Sequence, residues 1–212
     1  MKNVAILISG RGSNMQAIDA AKIPGMRIAT VISNQPNADG LVYARSRGLT
    51  THVIDPRLFT QGAAFEHALA SALDTAQADL VVLAGFMRVL SAEFTRCYAE
   101  RMLNIHPSLL PAFKGLNTHQ RAIDAGCKLT GCTIHFVTPE LDSGPIVAQG
   151  AVPILPDDDA FSLGARVLAL EHQLYPQVVR WFVEGRLSLH KGHVHLRGEQ
   201  GKPHHALTAP TG

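Results

Sequence analysis

Val4-Ala5-Ile6-Leu7-Ile8 runs directly into Ser9-Gly10-Arg11-Gly12-Ser13-Asn14, and that junction decides the fold. Five consecutive apolar residues suit a strand buried on both faces, as in a parallel sheet, and not a strand with one wet face. The glycine-rich turn then opens a helix carrying Met15, Ile18 and Ala21, with Ser13 or Asn14 as its expected N-cap.

Working outward, the same alternation repeats. Residues 27–33 read as a second strand, 40–47 as a helix and 51–54 as a short third strand. Thr60 is placed to cap a helix with Phe65, Leu69 and Leu73 at four-residue spacing. Leu80-Val81-Val82-Leu83-Ala84 is a fourth strand, apolar throughout, and residues 102–106 are a fifth. This order predicts an α/β fold: a doubly wound, mostly parallel sheet, Rossmann-like in its N-terminal half.

After Pro107 the pattern loosens into a loop over 108–116 and a short helix over 118–125. Strands are expected over 133–137 and 146–152, joined by a turn around 139–145. A long helix over 159–181 and a hairpin or edge strand over 187–196 follow. One domain is expected over residues 1–190. Residues 191–212, increasingly rich in Gly, Pro, Thr and His, are expected to form a partly disordered tail.

Composition limits the function classes. A hydrophobic content of 46% against 17% charged residues excludes global disorder. A net charge of +2 with no basic run gives a nucleic-acid surface little support. The apolar run at 4–8 is too short for a signal-peptide core or a bilayer span, so a cytoplasmic protein without membrane attachment is expected. Three cysteines, an odd number, argue against a secreted disulfide framework. Cys127, Cys132 and His135 sketch a partial zinc site, but small core cysteines are the expected reading and no metal is assigned.

Four segments carry candidate chemistry. The turn Gly10-Arg11-Gly12-Ser13-Asn14 follows a strand and precedes a helix, where backbone N–H groups bind anions. A dinucleotide fingerprint is contradicted by Met15, where a small residue belongs, and by Ser33-Asn34 in place of an acidic ribose ligand. A monophosphate site or a plain tight turn remains. Asn104 and His106 stand two apart on a strand, so both face one way, and Pro107 stops the strand there. An amide beside an imidazole suits a developing oxyanion and proton transfer; a hydrogen-bonded core pair is the alternative. Asp142 lies in a turn, where a local backbone cap is the ordinary role, and spacing alone does not pair it with His106. Glu171 lies on an apolar helix stripe drawn through Phe161, Ala165, Leu168, Tyr175, Val178 and Phe182. A carboxylate there is paired, holds a ligand, or snorkels from an edge.

Together, these segments resemble a known family. Ser9-Gly10-Arg11-Gly12-Ser13-Asn14, Ala84-Gly85-Phe86-Met87-Arg88-Val89-Leu90, Asn104-Ile105-His106-Pro107-Ser108-Leu109-Leu110-Pro111, His135-Phe136-Val137, Asp142-Ser143-Gly144-Pro145 and Glu171-His172 occur in one order. Over residues 1–190 the chain resembles the phosphoribosylglycinamide formyltransferase family of folate-dependent formyltransferases. The resemblance implies transfer of the formyl group of 10-formyltetrahydrofolate to the amine of glycinamide ribonucleotide, in de novo purine biosynthesis. It implies small-molecule substrates, a folate cosubstrate and no tightly bound cofactor.

Residue by residue, the resemblance makes Asn104, His106 and Asp142 the catalytic trio, with Asp142 raising the His106 pKa. It makes Gly12, Ser13 and Asn14 the ribonucleotide phosphate loop and Glu171 the ribose ligand. It places Met87, Arg88, Val89, Leu90 and Asn104 against folate, with main chain near 137–142 closing around the pterin. Two departures stand out. Gln61-Gly62-Ala63 lacks an Arg that the family often carries before the pair matching Ala64-Phe65, and Phe113-Lys114-Gly115-Leu116-Asn117-Thr118-His119 keeps only the second His of its family loop.

Overall fold

The computed structural model describes residues 1–198 and the backbone of 206–208. The chain divides into two compact units, Met1–Asn104 and Ile105–Gly212.

The first unit is the alternating half. It contains β1 (Lys2–Ile8), α1 (Ser13–Ala20), β2 (Met26–Ser33), α2 (Asp39–Ser46), β3 (Thr51–Val53), α3 (Gly62–Thr75), β4 (Leu80–Leu83), α4 (Ala92–Cys97) and the start of β5 (Met102–His106). Its strands are all parallel, in the order β3-β2-β1-β4-β5. Residues 4–8 are each 0% exposed, as a strand with neighbours on both sides and helices on both faces requires. The chain winds outward from β1 in one direction and from β4 in the other, so the topological switch point lies between these two strands. In open α/β sheets, ligands bind at such a point, beyond the C-terminal strand ends.

Two local expectations are corrected, and one helix is new. The N-cap of α1 is Gly12, at φ 69, and not Ser13 or Asn14. A Cβ at position 12 would stand 2.9 Å from Met15 Cε and 3.1 Å from Gly40 Cα, so this left-handed, tightly packed position favours glycine. α3 begins after Gln61, not Thr60, and no side chain caps it. The short helix α4, unforeseen, is capped by Ser91, whose Oγ accepts the Phe94 N–H at 3.1 Å.

The second unit contains α5 (Thr118–Asp124), β6 (Leu129–Phe136), β7 (Ile146–Pro153), α6 (Ala160–Val183), the hairpin β8 (Leu187–His190) and β9 (His193–Leu196), and β10 (Ala206–Thr208). β6 and β7 are antiparallel, and β10 runs parallel to β7. Within the tail expected to be partly disordered, Ala206, Leu207 and Thr208 pair with Gln149, Gly150 and Ala151 on an otherwise open edge. The rest of that expectation, over 199–205 and 209–212, lies outside the described residues. The buried face of α6 runs through Leu163, Val167, Leu170, Leu174, Val178 and Trp181. Phe161, placed on the stripe from sequence, is 85% exposed: at the first turn of α6 nothing covers it.

Candidate active site

The geometry of the second unit is built around His106, which ends β5 and is 5% exposed. Its Nε2–H donates to the Phe113 carbonyl at 3.0 Å. Its Nδ1 stands 3.4 Å from Asp142 Oδ2. The ring therefore has an oxygen acceptor facing each nitrogen. Asp142 has φ 46, a left-handed conformation that turns its carboxylate back toward the strand end. The same Oδ2 accepts the Gly115 N–H at 2.9 Å.

His135 completes the cluster. It is 2% exposed, and its Nε2 lies 3.9 Å from Asp142 Oδ1, beyond a direct hydrogen bond. Its Nδ1–H donates to the Phe136 carbonyl at 2.9 Å. Burial holds its pKa below the ordinary histidine value, against the pull of the Phe136 carbonyl and Asp142. His119 is likewise lowered by burial first and His106 second.

The segment after β5 is pinned from β6 and β7. Thr133 Oγ1 donates to the Ser108 carbonyl at 2.7 Å and accepts the Leu110 N–H at 3.0 Å. The Gln149 amide donates to the Leu110 carbonyl at 2.9 Å, and Thr118 Oγ1 to the Pro107 carbonyl at 2.6 Å. Sequence reasoning missed Thr133, Gln149 and the placement of His135. A signal was available: Thr133 and His135 stand two apart on one strand and share a face. Lys114 donates to Ser143 Oγ beside the Asp142 turn.

Glu171 is 6% exposed on α6, so of the alternatives open in the sequence the snorkelling edge position is not the one adopted. It faces Cys132, whose thiol is pushed well up by burial first and by this carboxylate second. Cys97, Cys127 and Cys132 are all free thiols. Among the described residues, no three His, Cys, Asp or Glu side chains are arranged to hold a metal ion.

The first unit carries Gly12, Ser13, Asn14, Met87, Arg88, Val89, Leu90 and Asn104. Residues 12–14 follow β1, and residues 87–90 follow β4, so the fold sets both segments at the switch point. The N-cap Gly12 of α1 makes no side-chain cap hydrogen bond. Met87 and Val89 are 70% and 73% exposed, while Leu90 is buried at 7%. The Arg88 guanidinium stacks over the Phe65 ring at 4.3 Å and lies 4.0 Å from where a Cβ of Gly62 would stand. Asn104 occupies β5 two residues before His106, so the strand pleat turns both side chains the same way.

The chain belongs to the formyl transferase family, whose model matches residues 2–179. It is 44% identical over 204 residues to a phosphoribosylglycinamide formyltransferase of Escherichia coli, covering 95% of this chain and 96% of that one. A solved phosphoribosylglycinamide formyltransferase from Coxiella burnetii is 43% identical, with a TM-score of 0.91 over 97% of this chain and 99% of that chain. The chain is also 45% identical over 189 residues to a trifunctional purine biosynthetic protein of Bos taurus, matching 88% of this chain and 19% of that protein.

Proposed function

We propose that this chain transfers the formyl group of 10-formyltetrahydrofolate to the amine of glycinamide ribonucleotide, giving the N-formyl product and tetrahydrofolate in purine biosynthesis. The observation that carries the reading is His106, held at a strand end with Asp142 at one ring nitrogen and a carbonyl at the other. The names of the relatives support the choice of substrates.

The amine attacks the formyl carbon, a new C–N bond forms, and the formyl oxygen becomes an oxyanion. The Asn104 amide donates to it, and so does the His106 imidazolium once its Nε2–H turns from the Phe113 carbonyl to the oxyanion; Asp142 holds the ring and keeps its charge compensated. The attacking nitrogen loses one proton and N10 of the folate gains one as its bond to carbon breaks, so the step is proton-neutral overall. Asp142 relays that proton through water. Gly12, Ser13 and Asn14 hold the ribonucleotide phosphate and Glu171 its ribose. Met87, Arg88, Val89, Leu90 and Asn104 line the folate site. No tightly bound cofactor or metal takes part in this reading, and nucleic acid is not a partner.

No helix among the described residues is long and apolar enough to cross a membrane. The free thiols support a reducing compartment, which makes the cytoplasm the proposed location. A formyl-transfer assay tests the function. Tetrahydrofolate released only when the ribonucleotide is present supports it; equal release without ribonucleotide makes the protein a hydrolase.

A further inference from the structure

We infer that Ser9 is a positioning residue that ties the two substrate segments of the first unit together, so that its hydroxyl governs how tightly each substrate is held. This rests on the assignment above, with residues 12–14 for ribonucleotide and 87–90 for folate.

Ser9 is the residue after β1, at the switch point between β1 and β4. Its N–H donates to the Gly85 carbonyl at 3.1 Å, extending the β1–β4 pairing one step beyond the Ala84 N–H to Leu7 carbonyl bond at 2.9 Å. Its hydroxyl donates to Asn34 Oδ1 at 2.6 Å and accepts the Met87 N–H at 2.7 Å. A serine hydroxyl has one hydrogen, so the bond to Asn34 commits it and leaves the lone pairs for Met87. Asn34 is 3% exposed at the end of β2, a buried carboxamide that fixes the hydroxyl's direction. Three hydrogen bonds thus converge on the residue that opens the phosphate-type turn, and two of them lead to the segment that carries Met87 and Arg88.

A plain turn would not need this arrangement. β1 and β4 are already paired through residues 4–7, and Gly85 at φ 74 lets the chain leave β4 without help from Ser9. The Ser9 hydroxyl acts past that point: it gives the Met87 amide an acceptor where the ladder has ended and so sets the direction in which Met87 and Val89 point. The same residue is the first of the turn whose later members, Gly12 to Asn14, are shaped for an anion. One side chain therefore holds the registration of two neighbouring ligand segments.

The test compares the wild-type chain with Ser9→Ala and Ser9→Thr by steady-state kinetics, with thermal melting measured alongside. Loss of the hydroxyl should raise KM for both the ribonucleotide and the folate by about two- to tenfold each, the range for one lost hydrogen bond, with kcat within about twofold. Threonine keeps the hydroxyl and should return both values toward wild type. Ser13→Ala and Met87→Ala serve as controls, each expected to raise KM for one substrate alone. If the controls separate in this way but Ser9→Ala moves neither KM, only one, or melting temperature alone, the coupling role is overturned while the site assignment stands. If the controls do not separate, the site assignment fails and takes this inference with it.

Discussion

Asp142 Oδ2 serves two groups at once: it stands 3.4 Å from His106 Nδ1 and accepts the Gly115 N–H at 2.9 Å. The carboxylate that faces the imidazole also anchors the loop whose Phe113 carbonyl takes the other ring nitrogen. Ring orientation and loop position therefore depend on one side chain.

Replacing Asp142 by Asn separates its charge from its shape. The amide oxygen still accepts from Gly115, so the fold should survive, but the negative charge beside the ring is gone. We expect kcat to fall by about a hundredfold or more, the range for losing a positioned acid or oxyanion donor, with folate KM little changed. Steady-state kinetics decide it: near-normal turnover would reduce Asp142 to a turn residue.

Glu171→Gln addresses the ribonucleotide. Removing the charge from this buried carboxylate should weaken ribonucleotide binding by about ten- to a hundredfold, the range for a charge-assisted hydrogen bond, and leave folate binding unchanged. Calorimetric titration of each ligand separates the two. Ribonucleotide affinity within twofold of wild type contradicts the assignment.

Gly12→Ala tests the turn itself. A left-handed φ costs an L-residue about 1–2 kcal/mol, and the added methyl would meet Met15 Cε at 2.9 Å and Gly40 Cα at 3.1 Å. The variant should melt several degrees lower and bind ribonucleotide more weakly. A variant with unchanged melting temperature and ribonucleotide KM would show that the turn tolerates a side chain.

Stability should fall on mild acidification. His119, His135 and His172 all have pKa values lowered by burial from 6.5, so the unfolded chain takes up protons near that pH while the folded chain does not. Their contribution is fully present above about pH 6.5 and is lost as pH falls from there through the folded pKa values, by about 1.4 kcal/mol per pH unit for each proton. Denaturant melts from pH 7.5 to 5 should show this slope, and His135→Gln should flatten it. An unchanged slope in that variant would mean that His135 protonates equally well in both states.

Much of the scaffold was legible in local pattern, because strand and helix periods are local properties. Val4 to Ile8 read as doubly buried and each is fully buried. Asn104 and His106 read as sharing a face because a strand has a period of two, which no tertiary contact is needed to establish. Glu171 was marked by its own misfit, a carboxylate among apolar helix neighbours.

Other features depended on where distant segments meet. Nothing in Glu140-Leu141-Asp142-Ser143 announces that its aspartate faces His106; the left-handed turn at Asp142, together with β6 and β7 on either side, brings it there. The N-cap of α1 was misread because Ser13 and Asn14 are good caps by propensity, whereas the approach of Gly40 favours a glycine one residue earlier. The exposed Phe161 was misjudged because covering a side chain needs a neighbour that the local sequence does not contain. Sequence alone determined the alternation of elements and the residue types able to do the chemistry. Tertiary structure decided which of them meet, because hydrogen-bond distances of about 3 Å between residues far apart in the chain are set by packing and not by local preference.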